Sequence, residues 1–171
     1  MPESILWGAD HPFLSIRQRE NYSYLHMNRT NGLLVGLLPF RKTDSGYEYL
    51  ERIEICPAHS MDYEPCAITG GVLPDRTPIQ MAIQELKEES GYSGQKEEFI
   101  ELGTVRPSKQ SDTLTYLYAI DVTDKKQGSI DGDGSHYETG AGVRWSDYAT
   151  ILDNKDPLLL VMISRLHAKR G

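Results

Sequence analysis

Residues 70–92 read "GGVLPDRTPIQMAIQELKEESGY". Thr77-Pro78-Ile79-Gln80 is a helix start. Threonine serves as N-cap, proline takes the first helical position, and glutamine three residues past the cap closes a capping box. Gly91 supplies the stop. The predicted helix therefore spans 78–90, with Ile79, Ala82, Ile83 and Leu86 as the stripe that packs on a core. Glu85, Glu88 and Glu89 fall on a neighbouring face, with only Lys87 among them. At about 100° per residue they cover roughly a quarter to a third of the circumference. Like charges at this spacing cost roughly 0.2–0.5 kcal/mol per pair, and acids sit poorly at the negative end of a helix dipole. Two readings follow. One is a solvated acidic face. The other is a rigid set of oxygen ligands for a hard divalent cation such as Mg²⁺, which takes few protein ligands and completes its octahedron with water and substrate phosphates. The residues by themselves leave both open.

The rest of the chain narrows the classes of function. Its 171 residues suffice for one domain with a real core. A 39% apolar and 25% charged composition is that of an ordinary globular protein. The net charge of −7, without a basic stripe, speaks against nucleic acid as a partner. The first residues, "MPESILWGADHPF", lack the basic start and apolar centre of a signal peptide. The apolar runs "GLLVGLLPF" and "PLLLVMI" fall short of the roughly 20 residues that cross a bilayer. Cys56 and Cys66 make no disulfide framework, and with His59 they lack a fourth ligand for a metal. They read as buried or half-buried free thiols, and the protein as cytoplasmic and not membrane-bound.

Along the chain, strands are expected at 22–28, 33–40, 47–55, 99–107, 113–122 and 142–145, with 56–65 a loop. Residues 123–142 are polar and glycine-rich, a long loop of the kind that is usually functional. "DGDGS" at 131–135 starts like a calcium loop, but His136 stands where the turn glycine belongs. "SDYATIL" reads as a short helix capped by Ser146 or Asp147, and 156–170 as a final amphipathic helix. Strands around one central helix, with more helix at the end, predict an α+β or layered α/β/α domain.

The helix and the loop before it resemble the Nudix box, G-x5-E-x7-R-E-U-x-E-E-x-G-U, where U is a large apolar residue. Glu85-Leu86-Lys87-Glu88-Glu89-Ser90-Gly91-Tyr92 match, with Gly70 at the leading glycine. Two positions depart: Arg76 stands in place of the loop glutamate, and Gln84 in place of the box arginine. A second alignment pairs Gly70-Gly71 with the family's double glycine and shortens the loop. "NGLLVGLLPFRK", "LERIEI" and Pro107, 15 residues past Tyr92, are similar to the ADP-ribose pyrophosphatase branch.

The resemblance implies a single Nudix domain over 1–171, an α/β/α sandwich with a mixed central sheet. Residues 1–30 would be an N-terminal strand extension suited to a homodimer. It further implies a Mg²⁺-dependent (or Mn²⁺-dependent) pyrophosphohydrolase acting on a small-molecule nucleotide, ADP-ribose or another nucleotide sugar. Metal ligands would be Glu85, Glu88, Glu89 and the Gly70 carbonyl. Glu88 and Glu138, the latter on the loop before the last strand, would share the catalytic work. The missing box arginine leaves Arg76 as the cation expected to compensate. From the residues themselves, Arg52 and Arg106 are candidates for binding phosphate, since a guanidinium suits it. Tyr24, Tyr116 and Trp145 are candidates for stacking on a base, although strand aromatics are commonly core. A non-catalytic nucleotide sensor on the same fold is the alternative.

Overall fold

The computed structural model describes residues 3–130 and 140–170. Three antiparallel strands, β1 (Glu3–Trp7), β2 (Leu14–Arg19) and β3 (Tyr22–Met27), form an N-terminal sheet in the order β1-β2-β3. A 3₁₀ turn, Asn28–Thr30, leads into the main sheet. Its strands are β4 (Leu33–Thr43), β5 (Gly46–Ile55), β6 (Tyr63–Cys66), β7 (Ile68–Gly71), β8 (Phe99–Val105), β9 (Leu114–Asp121) and β10 (Gly142–Ser146). The order is β10-β5-β4-β9-β8, with β6 beside β5 and β7 beside β4. β4 and β9 run parallel and the other pairs antiparallel, so the sheet is mixed.

The apolar run of β4 is buried because the sheet is covered on both faces. Successive strand residues point to opposite sides. Val35, Leu37 and Leu50 join Met81, Ala82 and Leu86 of helix α1 (Pro78–Ser90) in one core. Leu38, Phe40 and Tyr49 join Leu159, Met162, Ile163 and Leu166 of helix α3 (Pro157–Arg170) in the other. A short helix, α2 (Tyr148–Leu152), lies before α3, and Ile151 is fully buried in that second core. The result is the α/β/α sandwich with a mixed sheet that the sequence led us to expect.

Local rules account for the helix ends. Thr77 accepts from the Gln80 N–H, the Gln80 side chain accepts from the Thr77 N–H at 2.9 Å, and Gly91 stops α1 at φ 73°. Asp147 caps α2 through the Thr150 N–H at 2.8 Å. Two expectations are corrected. Tyr63–Cys66 is a strand instead of loop: it pairs with the end of β5, Arg52 opposite Cys66 and Ile55 opposite Tyr63. Pro65 lowers its strand propensity, and pairing along an edge supplies what propensity does not. On α1 the buried arc is Met81, Ala82, Leu86 and Ser90, with Ile79 and Ile83 half-buried beside it. The unbranched Met81 fills space on the side away from the expected stripe.

The N-terminal sheet is tied to the loop before β9. Leu25 bridges Ser111, Tyr22 Oη donates to the Lys109 carbonyl at 2.6 Å, and buried His26 lies 2.7 Å from Asp112. No helix among the described residues is long and apolar enough to cross a membrane.

Candidate active site

The double glycine at the end of β7 brings backbone close to α1. Neither Gly70 nor Gly71 has positive φ, so neither is needed for a turn. Space is the reason. A Cβ on Gly70 would stand 2.1 Å from Glu85 Oε1 and 2.3 Å from its Cδ. A Cβ on Gly71 would stand 2.5 Å from Thr30 Cγ2. The Glu85 carboxylate is therefore seated against the β7 backbone in a cradle that any side chain at position 70 would fill.

Around this seat a cavity of about 410 Å³ is lined by Gly70, Gly71, Gln84, Glu85, Glu88 and Glu89, together with Met27, Arg29 and Thr30. The structure thus brings together the four residues expected to hold a metal. Gln84 Nε2 donates to Glu88 Oε1 at 3.1 Å, one turn along the helix. Arg29 is the cation among the described lining residues. Thr30 is 5% exposed, and its hydroxyl has no hydrogen-bond partner among the described residues. A buried polar atom without a partner costs roughly 1–3 kcal/mol. Sequence reading missed Arg29 and Thr30, because "RTNG" reads only as a turn. The glutamates that share the cavity are their one distinguishing feature, and they are distant in sequence.

The donor chemistry fits a hard cation: carboxylate oxygens and a main-chain carbonyl. The carboxylates are not gathered into a cage, for among the described residues no three His, Cys, Asp or Glu side chains are grouped to hold an ion. A Mg²⁺ site with one or two carboxylates, completed by water and substrate phosphate, fits this spacing better than an all-protein cage.

Other candidates lie elsewhere. Arg52 is 1% exposed and donates from Nη1 to the Glu89 carbonyl at 3.1 Å. Arg106 is exposed and donates to the Asp112 carbonyl at 2.8 Å. Neither lines the cavity. Arg76 is half-exposed, 3.8 Å from Asp75. Tyr24 is buried and donates to Glu3, Tyr116 packs on the first core, and the Trp145 ring lies 4.1 Å beneath the Arg41 guanidinium. Glu138 and the "DGDGS" run lie outside the described residues.

A second cavity, of about 570 Å³, adjoins the first across Leu34 and Thr69, which line both. Glu54, Cys56, His59, Glu64, Cys66 and Asp156 line it over an apolar floor that includes Pro65, Ala67, Pro157 and Leu158. Both cysteines are free and half-buried. Burial, and then the neighbouring Glu54 and Asp156 carboxylates, push the Cys66 thiol well up, so it stays protonated.

No family model matches the sequence, and no curated protein matches it. Solved structures do match in three dimensions. The crystal structure of an ADP compounds hydrolase superposes with TM-score 0.62 at 17% identity, covering 99% of this chain and 96% of the other. The Nudix domain of Shewanella oneidensis NrtR, complexed with ADP ribose, superposes with TM-score 0.62 at 16% identity over 81% and 88% of the two chains. A MutT/Nudix family protein from Enterococcus faecalis gives 0.50 at 18% identity over 67% of this chain and 42% of the other. With a mixed sheet between α1 and the pair α2 and α3, and with the double glycine against the acidic face of α1, the chain has the Nudix fold.

Proposed function

We propose that the protein is a Nudix hydrolase that cleaves the diphosphate of a nucleoside diphosphate linked to a further group, with ADP-ribose or another nucleotide sugar as substrate. The observation that carries this reading is the seating of Glu85 against Gly70, in one cavity with Glu88 and Glu89. A strand backbone made bare to admit a carboxylate has no use in a merely solvated acidic face.

Gly70, Glu85, Glu88 and Glu89 would hold Mg²⁺ or Mn²⁺. When bound, the ion neutralises the diphosphate and acidifies the attacking water. Arg29, the cation among the described lining residues, is proposed to meet the diphosphate. The adjoining cavity gives room for the group beyond it, with carboxylates to accept from hydroxyls. Glu138 is proposed as the base that takes the water's proton, with Glu88 assisting, on the resemblance alone. Arg106 remains a phosphate-binding proposal only for a substrate that reaches the loop before β9.

Incubation with ADP-ribose and MgCl₂, following AMP, tests the reading beside Glu89→Gln and a metal-free control. AMP formed by the wild type and absent from both controls is the expected result. The ungathered carboxylates and Gln84 favour a second reading, a sensor that binds ADP-ribose without turnover. Binding without AMP would select it.

We infer also that two copies associate through the N-terminal extension. Ile5, Leu6, Trp7, Phe13 and Ile16 are exposed there, and β1 is an edge strand among the described residues. Light scattering on the intact chain and on a Trp7→Glu variant measures it, with dimer and monomer the expected states. Free thiols suit the cytoplasm as its compartment.

A further inference from the structure

If α1 serves a divalent cation, as proposed above, its acidic face has to be held in place without the box arginine. We propose that Arg52 is the positioning residue that does this, fixing Glu89 from the sheet side through its main chain and standing in for the cation that Gln84 cannot provide.

Arg52 is among the largest fully buried side chains of the protein, at 1% exposure. A buried guanidinium is costly unless it is well paired, and an apolar residue is usually the more stable occupant of such a position. Its neighbour on the same face of β5, Leu50, is the ordinary solution. The contacts of Arg52 show where its donors go. Nη1 donates to the Glu89 carbonyl at 3.1 Å. Nε lies 3.6 Å from Glu54 Oε2, an ion-pair distance beyond hydrogen-bond range, and has no hydrogen-bond partner among the described residues.

The place it reaches is the last turn of α1, whose carbonyls lack helical partners. Lys87 O is taken by the Gly91 N–H, Ser90 O by the Gln127 side chain and Gly91 O by the Gly128 N–H. Among these described caps, only Glu89 O is held by a charge, at the negative end of the helix dipole. Glu89 is also one of the three acids that line the cavity. Arg52 itself lines neither cavity, so it acts through Glu89 and does not meet the substrate. Arg76, the compensating cation the sequence suggests, is half-exposed with Asp75 as its nearest acid.

The test uses the intact chain, Mn²⁺ as the probe, and electron paramagnetic resonance of free Mn²⁺ without nucleotide. Arg52→Met keeps the stem and removes charge and donors, whereas Arg52→Lys keeps the charge with a single ammonium. Loss of an outer-shell partner typically weakens metal binding by about 10–100-fold. We expect at least about 10-fold weaker Mn²⁺ binding for Arg52→Met and an intermediate loss for Arg52→Lys. The direction is diagnostic, because removing a cation from the surroundings of three carboxylates would, by charge alone, tighten Mn²⁺ binding. Unchanged or tighter binding in a variant with native circular dichroism overturns the proposal. Should Arg52→Met fail to fold, Arg52→Lys decides: weaker binding supports positioning, and wild-type affinity sinks it. With ADP-ribose, kcat should fall while KM stays within about twofold. A raised KM with intact kcat would mean that Arg52 meets the substrate. Glu89→Gln serves as reference. If it leaves Mn²⁺ binding untouched, the metal reading of α1 falls together with this one, whereas a failure confined to the Arg52 variants leaves that reading standing.

Discussion

Replacing Gly70 with alanine adds one methyl group at the point where β7 meets α1, and the structure sets the size of the consequence. The new carbon would stand 2.1 Å from Glu85 Oε1. Non-bonded contacts settle near 3.5 Å, so the carboxylate has to retreat by roughly 1.4 Å. The backbone needs no change, because Gly70 is in ordinary strand conformation paired with Val35. The obstructed atoms run from the carboxylate back to Glu85 Cγ, 2.4 Å away, so the whole side chain has to swing about its first torsion, for about 0.5–1.5 kcal/mol. In a chain of this size that corresponds to a fall in Tm of a few degrees, about 2–4 °C per kcal/mol. The cost to function is larger, since a displacement of about 1 Å at a reacting centre costs on the order of 10²-fold. Gly70→Ala is therefore expected to melt close to wild type and to lose about 10²-fold in kcat for ADP-ribose, with weakened Mn²⁺ binding. Gly142→Ala is the control, for nothing lies within 4 Å of its Cβ position and its φ is ordinary. Wild-type turnover and Mn²⁺ affinity in Gly70→Ala would refute the reasoning, because Glu85 would then work from some other position.

Glu51 is fully buried and accepts from Asn154 Nδ2 at 2.6 Å, from Arg144 Nη2 at 2.8 Å and from the Ser146 hydroxyl. Glu51→Ala should cost about 2–4 kcal/mol in urea unfolding, below the full cost of an orphaned buried ion because half-exposed Arg144 can turn to water; a loss under about 1 kcal/mol would show the network to be idle. Cys66, kept protonated by burial and by Glu54 and Asp156, should react with iodoacetamide at pH 8 at least about tenfold more slowly than after unfolding. Mass spectrometry of the labelled chain checks this, and rapid labelling of Cys66 in the folded protein contradicts it. In acid, Tyr24 with Arg17 and Arg19 lowers the Glu3 carboxyl, Lys125 and the Gln95 N–H lower Glu98, and the Thr150 N–H lowers Asp147. Each is depressed on folding, so the unfolded chain binds more protons in acid. Their contribution is complete above about pH 5 and is lost as pH falls through the carboxylate range. Melting temperatures should drop from pH 5 to pH 3, less steeply in Asp147→Ala; a flat profile would contradict this.

Those elements that local chemistry determines are legible in the sequence. α1 begins at Pro78 and ends at Ser90 because its cap, its proline and its stop glycine lie within the helix's own neighbourhood. α2 and α3 follow for similar reasons, Asp147 and Asp156 both bonding to N–H groups just ahead of them. β4 is recognisable as buried on both faces from an unbroken apolar run. β6 is not recognisable, because Tyr63–Cys66 becomes a strand only by finding the edge of β5, and nothing in "YEPC" announces that partner. The orientation of α1 is similarly a tertiary result: periodicity allows Ile79 or Met81 to lead the buried arc, and packing on the sheet chooses Met81.

The candidate site divides along the same line. Glu85, Glu88 and Glu89 share a face by helix geometry, and the placement of Glu85 beside Gly70 follows from the spacing of one motif. Which cation stands with them is a different kind of question. Arg76 is nine residues from Glu85, yet it points to Asp75 at the surface. Arg52 is far back along the chain, on a strand whose alternation only says that it faces inward. It reaches Glu89 because α1 packs on the face of the sheet to which Leu50 and Arg52 point, a relation made by the sheet. Arg29 arrives in the cavity of the glutamates by the same means, carried there by the turn that joins the N-terminal sheet to β4. The acids are thus placed on one rigid helix, while the cations come from separate elements. On the proposed function, substitutions at Arg29 and Arg52 should accordingly separate, the first raising KM for ADP-ribose and the second weakening Mn²⁺ binding.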